Sequence, residues 1–68
     1  MRKQKTYWEI KNDVHTYFAN LAKTCAVEKD YIEIVCYDEA KAQSIEFVLI
    51  NAGLSFYRTG TNVIAWYD

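Results

Sequence analysis

The chain has 68 residues and near-balanced charge, eight Lys and Arg against nine Asp and Glu. Hydrophobic residues make up 51% and charged residues 25%, which excludes simple disorder, because a disordered chain lacks apolar surface to bury. The net charge of −1 argues against dedicated duplex-DNA binding, which needs a clear excess of Lys and Arg over the phosphates it meets.

A chain this short buries only about 60% of the surface its unfolded form exposes. Thin cores of this kind are often supported by oligomerisation, disulfides or metal. Aromatics are plentiful at 16%, and six of the eleven are Tyr, a residue with an apolar body and a polar tip that suits wet interfaces. The basic start (Arg2, Lys3, Lys5) runs into Tyr7-Trp8-Glu9-Ile10-Lys11, which is charged where a signal peptide needs an apolar run of about 7–15 residues. No stretch approaches the roughly 18 apolar residues of a membrane span. The expectation is one soluble, cytoplasmic domain over residues 1–68, with residues 1–5 as a flexible basic tail and no membrane contact.

Thr6 to Val27 reads as one helix. Tyr7, Ile10, Val14, Tyr17, Phe18, Leu21 and Cys25 recur at spacings that make a continuous stripe. Thr6 with Glu9 three residues later has capping-box form. A rival reading makes residues 5–10 a strand and starts the helix at Asn12 or Asp13, both good caps.

Glu28-Lys29-Asp30 is a charged turn, and Tyr31 to Tyr37 a strand rich in β-branched and aromatic residues. Along it Ile32, Ile34 and Cys36 face one way, and Tyr31, Glu33, Val35 and Tyr37 the other. Asp38 is a natural N-cap for a second helix, with Glu39 in its first turn. Ala42, Ile45, Val48, Leu49 and Ala52 form the buried stripe of that helix, whereas Phe47 and Ile50 lie off it and need cover. Gly53 followed by Leu54 is a Schellman stop.

Leu54 to Arg58 and Val63 to Tyr67 read as short strands joined by a turn over Thr59-Gly60-Thr61-Asn62. With Leu54 and Phe56 inward, a three-residue loop brings Ile64 and Trp66 beside them. A two- or four-residue loop brings Val63, Ala65 and Tyr67 instead, because a one-residue slip flips a strand. The first register buries more apolar surface and is the one expected.

The element order is then α-β-α-β-β. A right-handed crossover makes the first two strands parallel, and the hairpin returns the third antiparallel between them. The expected architecture is α+β, a three-stranded mixed or antiparallel sheet resembling half of a ferredoxin-like sheet, with both helices on one face. The uncovered face would carry Tyr31, Glu33, Val35, Tyr37, Ser55, Tyr57, Val63, Ala65 and Tyr67. Open faces of small domains are usually more polar than that.

That face is the candidate site. Tyr31, Val35, Tyr37, Tyr57, Val63 and Tyr67, with Phe47 and Ile50 on the second helix, are the expected protein-binding residues, for a foreign protein or a second copy of the chain. The alternative is single-stranded RNA or DNA stacked on Tyr37, Tyr57 and Tyr67, with Arg58 as the only nearby cation.

No catalytic constellation stands out. His15 lacks a Cys or carboxylate at i±4, and Ser44 and Ser55 lack a local base and a nucleophile-elbow motif. Cys25 and Cys36 form no CxxC pair and read as reduced, buried thiols. The carboxylate pairs Glu28/Asp30 and Asp38/Glu39 are explained by a turn and a helix start. With only Gly53 and Gly60 there is no phosphate loop. No enzyme activity, metal or cofactor is expected.

The run from Ile45 through Ala52-Gly53-Leu54 to Arg58-Thr59-Gly60 resembles the helix–Gly–hairpin segment of small mRNA-interferase toxins of the HicA type. Those place a catalytic His after the hairpin glycine. Here Thr61 and Asn62 stand there, so that activity is not implied. With Asp38-Glu39-Ala40-Lys41-Ala42 before it, the region is also similar to small prokaryotic β-α-β-β domains of suspected signalling role. A toxin-like RNA-processing domain is thus a second alternative. The leading expectation is a small regulatory binding protein, by analogy of size with phage and mobile-element inhibitors of host machinery.

Overall fold

The computed structural model describes residues 5–67. Arg2 and Lys3 of the expected tail lie outside that range. Lys5 does not belong to a free tail. Its ammonium pairs with Asp13 at 2.6 Å, and its backbone N–H donates to the Ala52 carbonyl.

The elements run α1 (Tyr7–Tyr17), β1 (Ala22–Val27), β2 (Ile32–Cys36), α2 (Glu39–Asn51), β3 (Ser55–Thr59) and β4 (Asn62–Trp66). The four strands form one antiparallel sheet in the order β1-β2-β4-β3. The expected trio, with the last strand between the other two, is present. What the half ferredoxin-like sheet of three strands lacked is β1, which closes a hairpin onto β2.

β1 corrects the single helix expected over Thr6–Val27. The helix begins as the capping box dictates: Thr6 Oγ1 accepts the Glu9 N–H, and Glu9 Oε1 accepts the Thr6 N–H. It ends at Tyr17, and Tyr17 is exposed. Of the rest of the stripe, Phe18 caps the helix, Leu21 precedes β1, and Cys25 belongs to that strand, whose inward spacing imitates a helix. Ala22 and Cys25 both turn inward although they are three residues apart, because a bulge interrupts the register between Ala22 and Thr24. One inserted residue converts the strand period of two into a spacing of three.

The α2 boundaries follow local chemistry. Asp38 Oδ1 accepts the Lys41 N–H at 2.8 Å. At the other end Gly53 has φ +82, its N–H donates to Ile50, and the Leu54 N–H donates to Leu49, the paired bonds of a Schellman stop. Ala42, Ile45, Leu49 and Ala52 are buried and Val48 packs against them.

The closing hairpin takes the register not expected. Thr59 pairs with Asn62, leaving a two-residue loop, Gly60-Thr61. Gly60 has φ +61 and is the only loop residue with positive φ, the pattern of a two-residue II′ hairpin. Val63 and Ala65 therefore point inward and are fully buried, while Ile64 and Trp66 point outward. The small Ala65 side chain lies under the helices where an indole has no room.

The core is one cluster on one face of the sheet. Two cross-strand rows supply it, Val27–Ile32–Ala65–Phe56 and Cys25–Ile34–Val63–Arg58. Tyr7, Ile10 and Val14 of α1 and the inward stripe of α2 close over it. Both helices thus cover the same face, and the other carries no element among the described residues.

Candidate interaction face

The outward rows are read from the same register. One runs Ala26–Glu33–Ile64–Tyr57 and the next Thr24–Val35–Asn62–Thr59. Ser55 sits opposite Trp66 at the end of the β3–β4 pair. Tyr31 and Tyr37 flank β2 on the phase of Glu33 and Val35.

Of the residues expected on this face, Tyr31, Val35, Tyr37 and Tyr57 are there. Tyr37 is 51% and Tyr57 65% exposed. Val63 and Ala65 are not there; both are core residues at 0% exposure, so Val63 cannot touch a partner. Tyr67 also leaves the face. Its ring stacks on Tyr7 with centroids 4.4 Å apart and planes 13° from parallel. The Tyr67 hydroxyl donates to the Lys5 carbonyl at 2.9 Å. Tyr7 Oη donates to the Asp30 carbonyl at 3.1 Å and accepts the Tyr67 N–H at 3.3 Å. Tyr67 is a clasp between the two ends of the described chain. It is not part of a stacking platform.

Ile64 and Trp66 replace the displaced pair, and Thr24 and Ala26 come from the unforeseen strand. The glycine at the first position of a two-residue turn was the signal that could have placed Ile64 and Trp66 outward. No local signal marked the bulge.

Arg58 is likewise on the helix side, opposite Val63. Its guanidinium is held by Glu46, lies 3.6 Å from Glu39, and donates to the Gly60 carbonyl. It offers no charge to a ligand on the open face. The cations near an expected aromatic are lysines. Lys23 of β1 and Lys41 of α2 stand 5.9 Å and 5.6 Å from the Tyr37 ring centre. Phe47 and Ile50 are exposed on α2, as expected from their place off its stripe.

Several groups with reactive potential have structural roles. Burial pushes the Cys25 thiol up to about 11, and burial, with Asp38 nearby, raises that of Cys36. Both are free and buried, whereas a reactive cysteine is an accessible thiolate. Asp38 caps a helix, and Ser44 donates back to the Ala40 carbonyl. His15 is exposed in the last turn of α1, where a positive charge suits the dipole. Among the described residues no group of three His, Cys, Asp or Glu is placed to hold a metal, and no helix is long and apolar enough to cross a membrane. At the end of the sheet, Tyr7, Lys29, Asp30, Trp66 and Tyr67 line an open depression of about 350 Å³. Comparison with protein-family models, with curated proteins and with solved structures finds no match for this chain.

Proposed function

We propose that this chain is a non-enzymatic binding module that docks a protein partner on the outward face of its sheet. One observation carries the reading. Tyr31, Val35, Tyr37, Tyr57, Ile64 and Trp66 share a face that no element covers among the described residues. Tyr and Trp bury large areas at little entropic cost and are enriched at binding hot spots. A rigid sheet holds them in fixed positions, so little ordering is left for the moment of binding. Occlusion of a partner's own working surface is the simplest action open to so small a module, as in the inhibitors to which its size is analogous.

The test is a pair of variants. Tyr37→Ala and Tyr57→Ala remove exposed rings that the core does not use, so each should keep its fold by circular dichroism. Used as bait, the native chain should retain a partner that either variant holds at least tenfold more weakly. Equal retention by both variants would sink the reading, and so would unfolding of both.

A second reading draws on Lys23 and Lys41. Two ammonium groups beside an exposed aromatic ring make a small platform for a stacked base and its phosphate. Binding of a mixed-sequence single-stranded oligonucleotide should then weaken steeply between about 50 and 200 mM salt. An interface built on tyrosine burial should respond weakly to the same change.

A further inference from the structure

β3 is an outer strand, and its regularity sets it apart from the other edge. β1 is defended by its bulge and by Lys23, both recognised protections against edge pairing. β3 pairs with β4 over five consecutive residues without interruption. Thr59 and Asn62 flank a two-residue loop and so exchange hydrogen bonds, as do Tyr57 with Ile64 and Ser55 with Trp66. The alternation leaves the N–H and C=O groups of Phe56 and Arg58 directed away from the sheet. The Cys36 N–H bond to the Thr61 carbonyl supports this phase, since it shows that odd-numbered residues at the start of β4 face β2.

We infer that the β3 edge pairs with β3 of a second copy, antiparallel about a two-fold axis through Tyr57, joining two sheets into one of eight strands. The register follows from the sequence of the strand itself. An axis on Tyr57 uses all five residues, Ser55 to Thr59. It places Phe56 opposite Arg58 of the second copy, with both outward-pointing pairs of backbone groups bonded. An axis on Arg58 would instead set two guanidinium groups face to face. An inward-pointing charge on an edge strand normally blocks such pairing. Here Arg58 already has Glu46 and Glu39 as counter-charges, so the block is neutralised.

Each layer of the edge offers an apolar contact among polar neighbours. On the open face the two Tyr57 rings meet as a close, non-hydrogen-bonded aromatic pair. On the helix layer, Glu39, Gln43, Glu46 and Ile50 recur at spacings of four, three and four. The two glutamates reach Arg58, so that stripe lies over β3. Ile50, the next residue of that stripe, therefore projects past the edge and meets its own copy across the axis, whereas Phe47 lies on the side of α2 away from the sheet. Such a contact is isologous, each patch being its own complement.

Tyr57 is 65% exposed and contributes roughly 100–150 Å². With Ile50 and the strand edge, the total stays below the ~800 Å² per partner of a standard interface. The dimer is accordingly a weak one. It leaves the open faces of both copies on the same side, with Tyr57 at their seam.

Sedimentation equilibrium of the full chain, from a few micromolar to about 1 mM, is the test. The native protein should pass from monomer to dimer across that range. Tyr57→Lys and Tyr57→Glu should each be monomeric throughout, because each sets like charges against one another at the axis. Their equimolar mixture should recover the dimer as a one-to-one hybrid. Ile50→Glu, a change at a half-exposed position of α2, should weaken association at least tenfold, and it remains informative if a β3 variant fails to fold. Tyr37→Ala should leave the mass unchanged, which separates this contact from partner binding on the open face. A native chain that stays monomeric at 1 mM would overturn the inference. Charge variants that dimerise like the native chain, or a mixture that stays monomeric, would overturn it equally.

Discussion

Removing the Tyr7 hydroxyl isolates the contact that ties the two ends of the described chain together. In Tyr7→Phe the ring, its stack on Tyr67 and its burial at 8% exposure all remain. What disappears is one oxygen that donates to the Asp30 carbonyl and accepts the Tyr67 N–H. Each such bond contributes about 0.5–1.5 kcal/mol net, and more if the orphaned group stays away from water. Two partly buried partners left behind give an expected loss of about 2 kcal/mol. For a chain of this size total stability is roughly 3–10 kcal/mol, so the loss is a large fraction. It corresponds to a fall in Tm of about 10 °C. Tyr67→Phe is the control. Its hydroxyl makes one exposed bond to Lys5, which water can replace, and should cost less than about 0.5 kcal/mol. Urea melts followed by circular dichroism give both values under identical conditions. Equal effects of the two substitutions, or a Tyr7→Phe loss below about 0.5 kcal/mol, would refute the assignment of Tyr7 as the shared hub of this clasp.

The hairpin register predicts opposite responses at adjacent positions: Val63→Ala should cost about 2 kcal/mol, by lost burial plus a cavity, and Ile64→Ala less than half of that by the same urea melts. Gly60→Ala should cost about 1–2 kcal/mol by backbone strain alone, since a Cβ there meets nothing within 4 Å; a neutral result would contradict the positive φ of the turn. The buried thiols make stability depend on alkaline pH. The unfolded chain releases the Cys25 proton near 9.0 and the folded chain holds it to about 11, so the contribution is full below pH 9 and is lost as pH rises through 11. Two pKa units amount to about 3 kcal/mol, with Cys36 acting in the same direction. Melts at pH 8 and 10.5 should therefore differ for the native chain and differ less for Cys25→Ala, and parallel behaviour of the two would count against the buried-thiol account.

Features set by neighbouring residues were legible before any fold was known. Thr6 with Glu9, Asp38 with the Lys41 amide, and Gly53 with Leu54 each complete their hydrogen bonds within five residues. Helix starts and the stop of α2 could therefore be read directly. So could the alternation along β2, where Ile32, Ile34 and Cys36 form the more apolar phase. The order of the last three strands followed from the hairpin and from the apolar character of the last strand, which suits a central position. Half of the candidate face, Tyr31, Val35, Tyr37 and Tyr57, came with it.

The other half depended on contacts between distant parts of the chain. The bulge near Thr24 exists only because β1 pairs with β2, and without that partner the spacing of Ala22 and Cys25 is helical. The outward turn of Ile64 and Trp66 depends on a loop one residue shorter than apolar burial alone favours, and on how little room the helices leave above Ala65. Arg58 is drawn to the helix layer by Glu46, twelve residues away. Tyr67 is drawn there by Tyr7, sixty residues away. Local hydrogen bonds end helices and open turns whatever surrounds them. Which face of a strand is buried is decided by what lies across from it, and that neighbour is supplied only when the chain has folded.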